Sequence, residues 1–226
     1  MKTFQHNKKS EQVKNVFNQV FDKYDLMNDL MSAGMHRIWK KQFISWLNPQ
    51  KNTKLIDVAS GTGDIAQLYL NAISNVGKVC CVDSNKEMLN VSKKKIKKNK
   101  KIIFTHNKNY KNGMSSSIKA GLKKISKKDK GFIILQSDMP FVKTSDINKI
   151  YNSIIRKKYL VHALKYKNRI GNPIGFDISF LNKIKKIKGN IGAKYIVQRL
   201  KNSTNYIKVS SEKVFKDFDK ASDFRA

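Results

Sequence analysis

Between Thr53 and Ala66 the hydrophobic period changes within a few residues, and this restricts the fold more than any other feature of the chain. Thr53 to Ala59 (TKLIDVA) is a short apolar run of strand type, Asp64 to Ser74 has helical spacing, and Ser60-Gly61-Thr62-Gly63 lies between them. A strand that turns through glycine directly into a helix begins an α/β alternation, because the helix must bury its apolar face on the sheet it has just left. Gly61, Gly63 and Ala66 form a G-x-G-x-x-A turn. Glycine there lets the backbone bend sharply and approach a ligand, and the unbonded N–H groups of the helix start can reach it. Asp83 closes the next strand, KVCCVD, 20 residues after Gly63. An acid at that place accepts hydrogen bonds from ribose hydroxyls, so turn and acid together describe a site for an adenosine-containing cofactor. Geometry alone leaves a nicotinamide cofactor and S-adenosylmethionine both open, beside the plain alternative of a tight turn with a solvated acid.

The same pattern reading extends along the chain. Ser10 can cap a helix with Val13, Val16, Phe17, Val20 and Phe21 on one face, and a second helix runs from His36 to Leu47, stopped by Pro49. After KVCCVD come a helix from Asn85 to about Lys98 and a strand from Lys101 to Thr105, completing β-α-β-α-β with parallel crossovers. Beyond these, the pattern predicts a helix from Ser115 to about Ser126, a strand GFIILQSD, a helix from about Ser145 to Lys157 and a strand YLVHALKY. Two short helices follow, around Phe180 to Ile187 and Gly192 to Leu200, and then a strand YIKVSS.

Charge needs its own explanation, because the chain carries +31 at neutral pH. Of 47 basic residues only five are Arg, and Lys, Asn and Ile, all spelled by A/T-rich codons, fill 88 positions. Specific phosphate and base recognition favours the planar guanidinium, so a basic surface almost without Arg argues for lysine drift and against dedicated nucleic-acid binding. Salt-sensitive adhesion to RNA or peripheral contact with anionic lipid is expected as a property of such a surface. Between Lys93 and Lys130 there are 15 Lys and one acid, Asp129, which marks a seam. Cys80 and Cys81, adjacent on a strand, point to opposite faces and read as buried thiols of a reducing compartment. Met1 to Val13 is polar, and no stretch approaches the roughly 18 to 20 apolar residues of a membrane span, so a cytoplasmic protein is expected.

Two stretches carry resemblances. Asp57-x-x-x-Gly61-x-Gly63 looks like the first motif of class I methyltransferases. Tyr24 to Trp39 (YDLMNDLMSAGMHRIW) resembles the signature of the ubiquinone/menaquinone biosynthesis C-methyltransferase family, and the likeness extends over about Ser10 to Phe104, including Val82-Asp83-Ser84-Asn85 and Met88-Leu89. It implies S-adenosylmethionine as cofactor, with Thr62 and Asp83 contacting it beside Asp57, Gly61 and Gly63, and a polyprenylated benzoquinol or naphthoquinol methylated on a ring carbon as substrate. Such a transfer needs alignment of the methyl with an electron-rich carbon and help in removing a phenolic proton. Tyr24, Asp25 and His36 lie in the signature, but packing explains them equally well and no catalytic base is assigned. After Phe104 the family's remaining motifs have no counterpart.

From about Asn107 the chain is similar to the MobA-like nucleotidyltransferases, nearest to their molybdenum cofactor cytidylyltransferase branch. The residues are Asn109 to Leu122 (NYKNGMSSSIKAGL), Gly131 to Pro140 (GFIILQSDMP), Gly171-Asn172-Pro173 and, more loosely, Phe215-Lys216-Asp217-Phe218-Asp219. An acid closing an apolar strand, here Asp138, lies where a hard oxygen ligand could hold Mg²⁺ against a nucleoside triphosphate. A strand-end turn before Pro140 is the plain alternative for Asp138, and Ser115 to Ser117 also read as helix caps. The family's triphosphate-wrapping loop is absent from this chain, which argues against nucleotidyl transfer, with molybdopterin as substrate, by this half alone. The expected architecture is therefore α/β, a Rossmann-like parallel sheet with flanking helices, formed as a junction of two partial α/β domains, residues 1–105 and 106–226.

Overall fold

A computed structural model describes residues 29–30, 34–50, 52–74, 77–96, 102–189 and 192–217. The helix expected from Ser10, together with Tyr24, Asp25, Phe218 and Asp219, lies outside the described residues. In chain order the main elements are α1 (Met35–Leu47), β1 (Lys54–Val58), α2 (Asp64–Ala72), β2 (Lys78–Asp83), α3 (Lys86–Lys95), β3 (Ile102–His106), α4 (Met114–Leu122), β4 (Gly131–Ile134), α5 (Thr144–Ile155), β5 (Val161–Tyr166), β6 (Arg169–Asp177), α6 (Leu181–Ile184), α7 (Ala193–Arg199) and β7 (Thr204–Lys208). They fall into two units. The first takes in residues up to Ile44, Pro49–Lys111 and Ser116–Gly121, and the second Ser45–Asn48, Asn112–Ser115 and the chain from Leu122.

In the first unit β1, β2 and β3 form a parallel sheet in that order, with Asp57 opposite Cys81 and Asp83 opposite His106. The α/β expectation holds here element by element, and for a clear reason. The central strand β2 has four consecutive buried residues, Val79-Cys80-Cys81-Val82, as a strand covered on both faces requires. Ala66, Tyr69 and Leu70 of α2 and Met88 and Leu89 of α3 are buried at helical spacing. At about 1.5–3 kcal/mol for each large apolar side chain removed from water, these positions account for the docking of both helices. Both cysteines are buried free thiols, in line with the sequence expectation.

The second unit holds a four-stranded sheet in the order β4-β6-β5-β7. Its β5–β7 pair is parallel, but β6 runs antiparallel to both β4 and β5, so the parallel arrangement expected throughout is corrected here. The sequence pattern also missed β6 itself. The segment RIGNPIGFD contains two glycines and a proline, which read as turn signals, yet each has a packing explanation. A Cβ on Gly171 would lie 2.7 Å from the Phe215 ring, and one on Gly175 would lie 2.4 Å from Ile150. Pro173 lies in a register irregularity between β5 and β6, where a missing N–H costs no ladder bond. Ile147, Ile150 and Ile154 of α5 join Leu164, Val214 and Phe215 in the core of this unit.

Two further expectations shift. The helix from Ser115 ends at Leu122 rather than near Ser126. The strand GFIILQSD ends at Ile134, so Asp138 lies in the turn beyond β4 rather than closing the strand.

Candidate functional site

The glycine turn is formed as the sequence pattern predicts. Gly61 has φ +53° and Gly63 φ +83°, the left-handed region that side chains avoid, and Ala59 shares it at +61°. Gly63 is constrained twice, because a Cβ there would come within 2.2 Å of Ser92 Oγ on α3. At Gly61 the space is open, and a Cβ there would meet nothing within 4 Å. Helix α2 starts directly from Gly63 with no side-chain cap, so its first N–H groups face the turn. Thr62 is buried beside them.

Asp83 is the pivot of this arrangement. Its Oδ2 accepts the Gly61 N–H at 2.8 Å and its Oδ1 the Asn85 N–H at 2.8 Å, which ties the end of β2 to the turn after β1. Asn85 in turn caps α3 by accepting from Glu87 and Met88. Each carboxylate oxygen keeps a second lone pair, so both can still accept from a diol.

Asp57, at the end of β1, is in a different state. Burial first, and then the negative charge of Asp83, push its carboxyl up to about 7, partly offset by the Ala66 N–H. Its Oδ2 is buried with no hydrogen-bond partner among the described residues, as are the Ser60 and Ser92 hydroxyls. A buried carboxyl with an orphaned oxygen is costly, and a cation beside it would relieve the cost. The same surroundings raise Cys81 to about 12, burial first and the charge of Asp57 second.

Sequence reasoning missed the charges that flank the turn. Lys40 Nζ of α1 donates to Asp64 Oδ2 at 2.6 Å, and Lys95 Nζ of α3 donates to Asp64 Oδ1. Burial would raise Asp64, but the two lysines outweigh it and hold the carboxyl below its ordinary range. Within the signature stretch, Arg37 Nε donates to Asp29 Oδ1 at 2.6 Å and Nη2 to Oδ2, with His36 Nε2 3.6 Å from the same carboxylate. Asp29 is lowered by that Arg37 hydrogen bond. No sequence signal separated Lys40 or Lys95 from the many other lysines.

In the second unit Asn172 Nδ2 donates to Gln136 Oε1, so two of the nucleotidyltransferase-like stretches meet. Asp138 lies two residues beyond Gln136, in the turn. Among the described residues no group of three or more His, Cys, Asp or Glu converges as a metal site would require.

Comparison with known proteins bears on both halves. The model of the ubiE/COQ5 methyltransferase family matches residues 5–158, more than half of the chain. Two curated relatives are the ubiquinone/menaquinone biosynthesis C-methyltransferases of Francisella philomiragia and Rickettsia typhi. The first is 49% identical over 88 residues, 39% of this chain and 35% of that protein, and the second 50% identical over 93 residues, 40% and 37%. The chain thus spans about a third of the length of the curated relatives it matches. Among solved structures, molybdopterin-guanine dinucleotide biosynthesis protein A of Archaeoglobus fulgidus is similar in fold, with a TM-score of 0.52 at 14% identity over 76% of this chain and 95% of that one. That likeness concerns fold alone, whereas the sequence match covers the glycine turn, Asp83 and the Asp29–Trp39 stretch, and by it the chain belongs to the ubiE/COQ5 methyltransferase family.

Proposed function

We propose that the glycine turn binds S-adenosylmethionine and that the chain serves methyl transfer to a ring carbon of a polyprenylated benzoquinol or naphthoquinol. The observation that carries this reading is Asp83, whose two oxygens hold the turn in shape while each keeps a lone pair for a ribose hydroxyl. The residues fit the cofactor's chemistry in two further ways. Gly61 leaves open space over the turn, and Asp57 offers a buried, orphaned oxygen to a positively charged group. When bound, the cofactor supplies an activated methyl on a sulfonium. The chain's own part is to fix the adenosine at Asp83, hold the turn in shape through the Asp83–Gly61 hydrogen bond, and keep the ionisable carboxyl of Asp57 close to it. A cytoplasmic setting, with substrate taken from the membrane surface, accords with this reading. Among the described residues no helix is long and apolar enough to cross a membrane.

Calorimetric titration with S-adenosylmethionine tests the proposal. Binding to the wild type and at least a tenfold loss in Asp83→Ala are expected, and equal affinity in both sinks the reading.

A second reading concerns residues 106–226, taken as a MobA-like nucleotidyltransferase portion beside a methyltransferase portion of residues 1–105. The Asn172–Gln136 contact favours it, because it joins two stretches that the resemblance selects. In this reading Asp138 holds Mg²⁺ against a nucleoside triphosphate, and molybdopterin is the acceptor. Titration with CTP and GTP tests it, and triphosphate affinity indifferent to both Mg²⁺ and Asp138→Ala rejects it.

A further inference from the structure

Leu30, Ile38 and Met35 are 84%, 62% and 58% exposed, the highest values for large apolar side chains among the described residues. Exposed apolar residues scattered singly are ordinary, but these three belong to one place. Met35 and Ile38 are one turn apart on α1. Asp29, the neighbour of Leu30, is tied to the start of that helix by the Arg37 guanidinium and by the Gly34 N–H, which donates to the Asp29 carbonyl oxygen at 2.9 Å. At about 100° per residue, Ile38 lies on the side of α1 away from Phe43 and Ile44, the residues that the helix buries. Trp39 and Trp46, half-buried and seven residues apart, flank that outer side next to Met35. Helix α1 is thus apolar on two sides, one packed and one exposed.

Charge selects what covers the outer side. Helix α1 contains no acid, Lys41 is exposed on it, and Arg37, 63% exposed, neutralises Asp29. A second copy of the chain is a poor occupant, because each copy carries +31. An anionic bilayer surface attracts that charge, takes apolar side chains at its headgroup boundary and favours tryptophan there. We propose that the outer side of α1, with Leu30, Met35 and Ile38 as its apolar contact, docks on an anionic bilayer surface and lays the helix in the plane of the interface. The basic surface of the chain supplies the attraction, and the three apolar side chains supply the part of the binding that salt does not screen. This goes beyond the methyl-transfer reading and stands without it, since lipid binding needs neither cofactor nor quinol.

Vesicle sedimentation and fluorescence quenching by brominated lipid test this on the full chain. Trp39 and Trp46 are the only tryptophans of the sequence, so their emission reports on α1 alone. The chain should bind vesicles of phosphatidylethanolamine and phosphatidylglycerol, keep part of that binding in about 0.5 M salt, and lose tryptophan emission when the acyl chains are brominated near the headgroups. Met35→Ser/Ile38→Ser should bind about tenfold more weakly in that salt, whereas Ile155→Ser, which removes an exposed isoleucine from α5, should bind like the wild type. Neither variant should unfold at lower urea. Binding that salt abolishes, or binding without quenching, shows that lysines elsewhere hold the chain by charge and overturns the proposal. Unchanged binding by Met35→Ser/Ile38→Ser, or a lowered urea midpoint that shows the face to be covered within the protein, overturns it as well. Calorimetry with S-adenosylmethionine on the same proteins reads the cofactor separately, so lipid binding and cofactor binding can fail independently.

Discussion

Replacing Asp57 by Asn removes a charge that the fold tolerates at a cost, and the cost has a pH signature. The carboxyl is raised from 3.8 to about 7, mainly by burial and then by Asp83. At about 1.36 kcal/mol per pH unit, that span is worth about 4 kcal/mol. The sign follows from proton counting. Between pH 4 and 7 the native state keeps a proton on Asp57 that the unfolded chain has lost, so stability falls as pH rises through this window and levels off above it. Asp57→Asn should therefore match the wild type near pH 4 and exceed it by about 2 to 4 kcal/mol at pH 8, the lower figure allowing for an amide with imperfect partners. Urea unfolding followed by the fluorescence of Trp39 and Trp46 reads this as a midpoint difference of about 1 to 2 M at pH 8. Buried His162 works in the opposite direction, since burial lowers its pKa and stability must fall as pH drops below 6.5. That contribution cancels when variant and wild type are compared at the same pH. A variant no more stable than the wild type at pH 8, or a stability difference that does not change with pH, would refute the argument.

Three other outcomes follow from the geometry. Gly63→Ala should destabilise by about 2 to 4 kcal/mol in urea unfolding, because left-handed backbone and clashes with Ser92 and Ile96 add, while Gly61→Ala, strained but unobstructed, should cost about 1 kcal/mol. If the cationic cofactor needs Asp57 ionised, its calorimetric affinity should weaken about tenfold from pH 8 to pH 6, with proton uptake by the buffer, and Asp57→Asn should lose this dependence. His162, wholly buried with neither ring nitrogen hydrogen-bonded among the described residues, predicts that His162→Leu flattens the loss of stability between pH 6.5 and 5, measured as thermal midpoints.

The first unit was legible because local chemistry there agrees with tertiary placement. TKLIDVA, the glycine turn and KVCCVD each form the element that their pattern favours, and Asp83 stands at the strand end where its spacing put it. The charged cluster was not legible for the opposite reason. Lys40 is 24 residues from Asp64, and Lys95 is one of three consecutive lysines, so only the packing of α1 and α3 distinguishes them. Asp57 was read as part of a motif, but its raised pKa depends on burial and on a second carboxylate 26 residues away. In the second unit, Gly171, Pro173 and Gly175 look like chain breakers, and only the positions of Phe215, Ile150 and the β5–β6 irregularity turn them into a strand.

Cys81 is buried in the central strand beneath the glycine turn, and its thiol is pushed up to about 12. At pH 8 only about one molecule in ten thousand then carries the thiolate that an alkylating reagent attacks. Modification must wait for the strand to be uncovered, so its rate measures how often the turn and α3 come away from β2. Any ligand that fastens the turn to Asp83 slows that clock, and the slowing can be timed even in a preparation that transfers no methyl group.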